Sequence, residues 1–247
     1  MTALTTMVRT QTKVLFREPM SVFFGLVFPA LLLLIIGLVF PGSTEPSPDF
    51  SGRRLVDVYA PASLVFGLAT VAISILPTTL GTDRERGILR RLSTTPVHPR
   101  VLVAAHLAVQ LLVAACASTA AVLLGALVFD IPWPQSLVWF ALSFLLAAAA
   151  LLGIGLLIGA IVPTASAGQT TGMLLYFPLL FFAGVYIPLE VMPEGVRVIS
   201  EYTPAGAAVQ ALSDSWVGTV PAASSLLVMA SYALATGLVA SWLFRWE

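Results

Sequence analysis

The chain has 247 residues, 58% of them hydrophobic and 10% charged, and its twelve basic side chains balance its twelve acidic ones. A soluble domain of this length has too little interior to hide so much apolar surface, which excludes a water-soluble globular protein and implies a bilayer protein. A formal net charge of zero gives no footing for nucleic-acid binding, and one cysteine, Cys116, excludes an intrachain disulfide framework.

From the N-terminus, Leu4, Met7, Val8, Val14 and Leu15 recur at helical spacing, while Arg9, Lys13 and Arg17 repeat every four residues along another face. Residues 1–19 therefore read as an amphipathic helix lying in the cytoplasmic interface, with Pro19 near the turn into the bilayer. No small-residue cleavage site follows, so the first apolar run is expected to be retained.

Six apolar runs come next, at 20–40, 58–80, 101–129, 135–162, 169–188 and 221–244. Each is close to the roughly 20 residues that a helix needs to cross about 30 Å of hydrocarbon. Arg9, Lys13, Arg17, Arg84, Arg86, Arg90, Arg91, Arg100 and Arg245 fall on one side of such an arrangement, against Arg53, Arg54 and Arg197 on the other. The positive-inside rule then places both termini in the cytoplasm. Trp133 and Trp139 lie at run ends on one side and Trp242 and Trp246 on the other, as aromatic belts do. Gly153, Gly155 and Gly159 would let a neighbouring helix come close.

The fifth run contains Pro178 and ends near Pro188; residues 189–216 are neither a span nor a hydrophilic loop. Val196, Ile199 and Tyr202, then Ala205, Ala208, Val209 and Leu212, predict two short amphipathic helices divided by Pro204, re-entrant or interfacial. Glu190, Glu194, Arg197, Glu201 and Asp214 make a seventh span too costly. The predicted fold class is an all-α polytopic membrane protein: one transmembrane domain of six helices, an N-terminal interfacial helix and short external helices before the last span.

Catalytic and metal signatures are missing from the sequence. No serine or cysteine stands in a nucleophile elbow, and His98 and His106 lack companion ligands. His106 and Gln110, one turn apart on the third run, read as an interhelical hydrogen bond rather than a proton relay. The sole lysine, Lys13, follows no glycine-rich loop, so the chain has no phosphate cradle of its own. Uphill transport would have to draw on an ion gradient or on another polypeptide.

Charge crowds into residues 82–96. On a helical projection Ile88, Leu89 and Leu92 share one arc, and Arg84, Arg86, Arg90 and Arg91 occupy the complementary one. Glu85 falls in the apolar arc, where a carboxylate needs a cation or a helix N-terminus; the basic N-terminal helix or an arginine on a partner are the candidates. Pro96 and Pro99 stop this predicted helix.

At these residues the chain resembles the membrane (permease) subunit of type-2 ABC exporters. "RERGILRRLSTTP" (84–96) is similar to the family's cytoplasmic segment after the second span, and "FFAGVYIPLEVMPEGVRVISEYTPAGAAVQAL" (181–212) to its fifth-span exit. Where the family often has an aliphatic and then a hydroxyl or aromatic residue after the second proline, this chain reads Ala205-Gly206-Ala207, which bears on how closely the outer cap packs. The resemblance implies a coupling helix over 82–96, with Arg84, Glu85, Arg86, Gly87, Leu89, Arg90, Arg91, Leu92 and Pro96 on or beside the surface that docks into an ATPase. It implies two copies of that separate ATPase subunit, which bind the ATP and magnesium, and a second permease copy, identical or similar. It implies an external cap marked by Gly184, Pro188, Pro193 and Pro204, and a path lined by the second and fifth spans, where Phe66, Phe177, Phe181 and Phe182 stand. The expected setting is a bacterial cytoplasmic membrane. An apolar path suits a drug-, antibiotic- or lipid-like cargo. Polysaccharide or lipid-linked glycan export within the same family, or ion-coupled secondary transport, are the alternatives.

Overall fold

The computed structural model describes residues 3–88 and 100–243, which are helical throughout apart from loops and one isolated bridge between Pro46 and Arg54. In chain order the helices are α1 (Ala3–Leu15), α2 (Pro19–Val39), α3 (Leu55–Glu85), α4 (Arg100–Phe129), α5 (Leu137–Ile161), α6 (Ala165–Phe182), α7 (Glu194–Glu201), α8 (Pro204–Trp216) and α9 (Ala223–Leu243). Five of them, α2, α3, α4, α5 and α9, are long and apolar enough to cross a membrane. The chain is therefore a multi-pass membrane protein.

The predicted fifth span, 169–188, is an 18-residue helix displaced toward the N-terminus, Ala165–Phe182. Thr164 starts it by accepting a hydrogen bond from the Ala167 amide at 3.1 Å. Gly184, at φ +77°, ends it in the left-handed turn that an L side chain resists. Its first turns carry Gln169, Thr170 and Thr171, which dilute its apolar character relative to those five helices.

The second span departs furthest from expectation. Instead of stopping near residue 80, α3 runs 31 residues to Glu85, about 46 Å at 1.5 Å per residue. It overshoots the roughly 30 Å hydrocarbon core, and its last turn carries Asp83, Arg84 and Glu85. In α3 and α2 a wide π turn, Thr70–Ile75 and Phe23–Val27, immediately precedes a Leu-Pro or Phe-Pro step. Pro77 and Pro29 lack the amide that would bond the carbonyl four residues back, and the wider turn absorbs the mismatch.

α3 is the central helix: 83% of its apolar stretch is buried, against 28% for α2 and α4 and 11% for α9. It is apolar on all sides, as a helix surrounded by others must be. Backbone-to-backbone approaches at small residues bring α5 and α6 onto it. A side chain at Gly155 would meet the Ala72 carbonyl, one at Gly172 the Ile73 carbonyl, and one at Gly168 would place its Cβ 2.6 Å from the Pro77 oxygen. The glycines picked out on the fourth span thus face α3, except Gly153, which faces Thr236 of α9.

α1 lies along α4, with Leu15 in the core and Arg9, Lys13 and Arg17 exposed. Of the two short helices after Pro188, α7 leaves most of its surface exposed, whereas α8 is buried through Ala205, Ala207, Ala208, Ala211 and Leu212 among α3, α5 and α9. Ala205-Gly206-Ala207 makes this region tight: a Cβ on Gly206 would sit 2.8 Å from the Phe182 carbonyl. Pro188, Pro193 and Pro204 punctuate it, preceding the 3₁₀ turn Leu189–Val191, preceding α7 and opening α8.

Because the Pro77 carbonyl belongs to a packed helix and cannot give way, Gly168→Val is expected to lower the thermal unfolding midpoint of the detergent-solubilised protein by several degrees, an overpacking cost of about 1–3 kcal/mol. An unchanged midpoint would show that α6 does not seat on α3 as described.

Candidate functional site

The last turn of α3 carries three consecutive charged residues, and each is met by a different helix. Asp83 is buried, and its Oδ2 lies 2.7 Å from Nε2 of His106 on α4, which is also buried. Arg84 turns toward the end of α5, donating to the carbonyls of Gly159 and Ala160 at 3.3 Å and to that of Val162. Glu85 reaches the start of α6, its Oε1 accepting from the Ala165 amide at 3.1 Å. The cation thus caps a helix C-terminus, where carbonyls are left without amide partners, and the carboxylate caps a helix N-terminus, where amides are. Gly81 allows the contact: a Cβ there would fall 2.5 Å from the Thr164 carbonyl in the turn joining α5 to α6.

Beyond this junction the chain turns. Arg86 closes α3, and Gly87 at φ +65° takes the left-handed conformation that breaks it. The predicted continuous helix over 82–96 is therefore corrected: residues 82–85 belong to α3, and Gly87 separates them from the rest of that segment. The apolar arc that placed Glu85 beside Ile88 therefore does not continue across Gly87 as one helical surface. Ile88 packs instead on the cluster of Leu102 and Ala160, at the ends of α4 and α5. Leu89, Arg90, Arg91, Leu92 and Pro96 lie outside the described residues, while Arg86 is exposed. Glu85 does find the helix N-terminus that its place required, but within its own chain rather than on the N-terminal helix or a partner. Asp83 was legible only as a loop charge; the signal that could have found it is the His106 that needed a partner.

At the other end of α3, two adjacent arginines form tethers. Arg53 bonds Glu190 at 2.6 Å and Ser213 at 3.1 Å, tying the start of α3 to the 3₁₀ turn Leu189–Val191 and to α8. Arg54 bonds Asp57 and donates to the Phe129 carbonyl at 2.8 Å, tying α3 to the end of α4. The Asp57 hydrogen bonds hold the Arg54 guanidinium above its ordinary pKa, so this tether is always charged. Burial raises the Asp214 carboxyl, which lines a cavity of about 300 Å³ with Arg53, Glu190, Arg197 and Glu201.

A larger cleft of about 650 Å³ opens between α2, α3 and α6. Phe66 and Phe177 line it together with Phe24, Phe28 and Tyr176, and Thr70 and Tyr176 share a buried hydrogen bond of 2.8 Å. Phe181 and Phe182 stack edge to face on each other and do not line the cleft.

The model of one protein family, ABC-2 type transporter, matches residues 2–217. Comparison with curated proteins finds no match.

If Glu85 caps α6, Glu85→Ala should speed hydrogen exchange of the Ala165–Ala167 amides roughly threefold or more, with little change in α9. Equal exchange in both proteins would remove the cap.

Proposed function

Because the chain belongs to the ABC-2 type transporter family, we propose that this membrane permease is the export subunit of a machine whose engine is a separate ATPase. The observation that carries this reading is the junction at Asp83, Arg84 and Glu85. The segment that leaves at Gly87 begins where three neighbouring helices are bonded to the central one, so a push on it reaches four helices at once. Two ATPase subunits, which hold ATP and magnesium, would close on nucleotide and press on residues 86–96. Arg86, Gly87, Leu89, Arg90, Arg91, Leu92 and Pro96 supply the docking surface in this scheme. Arg84 and Glu85 carry the load inward.

A second permease copy, identical or similar, completes the path. The α2–α3–α6 cleft is the entry for cargo. Its aromatic lining and its few hydroxyls suit a hydrophobic or amphipathic molecule with a hydrogen-bonding group, such as a drug, an antibiotic or a lipid-like compound. The concentration of basic residues at the Glu85 end supports a cytoplasmic side for that end and for both termini, in the membrane of a bacterial cell on this reading. The permease itself does no chemistry: ATP hydrolysis belongs to its partner.

The Asp83–His106 pair is what an ion-coupled transporter would build on. Within the five apolar helices the other charged residues are Asp57, Arg84, Glu85 and Arg100, near the two ends of α3 and at the start of α4, so no acidic ladder crosses the bilayer in the sequence of these helices. The ATP-driven reading is the better supported.

Purification from the native source with mass spectrometry is expected to recover an ATPase subunit. In proteoliposomes, Leu92→Asp should abolish the permease's stimulation of ATP hydrolysis while the protein still inserts. Net transport by the permease alone under a pH or sodium gradient would refute the proposal.

A further inference from the structure

Thr70 stands halfway along α3, and Tyr176 of α6 meets it in the lining of the α2–α3–α6 cleft. The direction of their 2.8 Å hydrogen bond follows from a second one. Thr70 Oγ1 lies 2.8 Å from the Phe66 carbonyl, which can only accept, so the single hydroxyl hydrogen of Thr70 is committed there. Tyr176 is then the donor to Thr70 Oγ1. With both hydrogens spent, the pair has only lone pairs to offer.

The surroundings fix that role. The Tyr176 ring is held edge to face against Phe66 and Phe177, at centroid distances of 6.1 and 5.8 Å. None of the described residues that line the cleft is charged. Glu18 lies outside the lining, where it accepts from Ser21 at 3.2 Å. A charge carried to the middle of α3 would therefore leave water with no counter-charge to receive it. Ser74, Gln169 and Tyr186, polar members of the lining, lie to either side of the pair along the cleft.

We propose that Tyr176 is the specificity-determining group of this cleft, selecting neutral amphiphiles that carry a hydrogen-bond donor, a hydroxyl or an amide N–H. The apolar body of such a molecule lies against the phenylalanines while its donor bonds Tyr176 Oη. An isosteric molecule with acceptors alone sets lone pair against lone pair, and it gives up its own bonds to water without replacement.

This inference rests on the export reading, which makes the cleft the entry for cargo, and the experiment keeps the two apart. Binding is measured on the purified permease in lipid nanodiscs, without ATPase, and corrected for partition into empty nanodiscs. The probes share one fluorescent body: pyrenebutanol, its methyl ether and the corresponding trimethylammonium. The unaltered protein should bind the alcohol about tenfold more tightly than the ether, the worth of one hydrogen bond shielded from water. The cationic probe should bind more weakly than either. Thr70→Val frees the Tyr176 hydrogen to donate, so the ether should gain about tenfold and the preference should close. Thr70→Val combined with Tyr176→Phe removes both oxygens, and alcohol and ether should then bind alike, the alcohol about tenfold more weakly than before.

Equal affinity of alcohol and ether for the unaltered protein overturns the inference, and that comparison needs no variant to fold. So does an ether that gains nothing from Thr70→Val, or a preference that survives in the double variant. Cationic binding as tight as that of the alcohol overturns the neutral class. Transport of pyrenebutanol is measured separately, with the ATPase reconstituted. The expected binding pattern without ATP-driven transport supports the recognition and counts against the export reading; transport without the pattern does the reverse.

Discussion

Charged side chains at the end of a packed transmembrane helix must be met by protein groups or turned to water, and α3 ends with three in a row, Asp83, Arg84 and Glu85. Successive residues on a helix point about 100° apart, so one short stretch addresses three neighbours. The partners are matched by sign: an imidazole for the buried carboxylate, the carbonyl end of α5 for the cation, the amide end of α6 for the second carboxylate. Local electrostatics thereby become global connectivity, because the bonded groups belong to α4, α5 and α6.

Charge alone would not make these helices one body. Dispersion between close surfaces does, and in a bilayer, where apolar side chains gain nothing by leaving lipid, it depends on how near the backbones come. Gly155, Gly168 and Gly172 remove the side chains that would hold α5 and α6 away from α3. The arginine pair at the opposite end adds directional tethers, Arg53 to the turn Leu189–Val191 and α8, Arg54 to the end of α4. The central helix is thus pinned at both ends and close-packed along two faces.

Much of this is legible in the sequence, for reasons that can be named. Apolar runs of about 20 residues announce spans, and four of the six runs agree with helices to within a few residues. The second run reads short because Thr82 and Asp83 look like loop residues; as side chains they bond back to the helix and to His106, contacts that composition does not encode. The fifth reads late because Gln169, Thr170 and Thr171 dilute its start. Within 82–96 a helical wheel assumes an unbroken helix, and one glycine at φ +65° is enough to divide it. Periodicity also flags Glu85 as needing a cation or a helix N-terminus, but the donor, the Ala165 amide, lies 80 residues away and is revealed only by the tertiary structure. Of the four phenylalanines assigned to a path, Phe66 and Phe177 share the cleft because α3 and α6 bring them together; neither Phe181 nor Phe182 lines it.

Above all, the end of α3 and the α5–α6 turn should move as one unit when the partner ATPase closes. Spin labels on exposed Arg86 and Ser166, on either side of the Glu85 cap, test this directly by pulsed electron resonance in the reconstituted complex. The distance between them should be the same in nucleotide-free and ATP-trapped states. A change approaching one helical turn, about 5 Å, would mean that the junction opens during the cycle and does not carry the load.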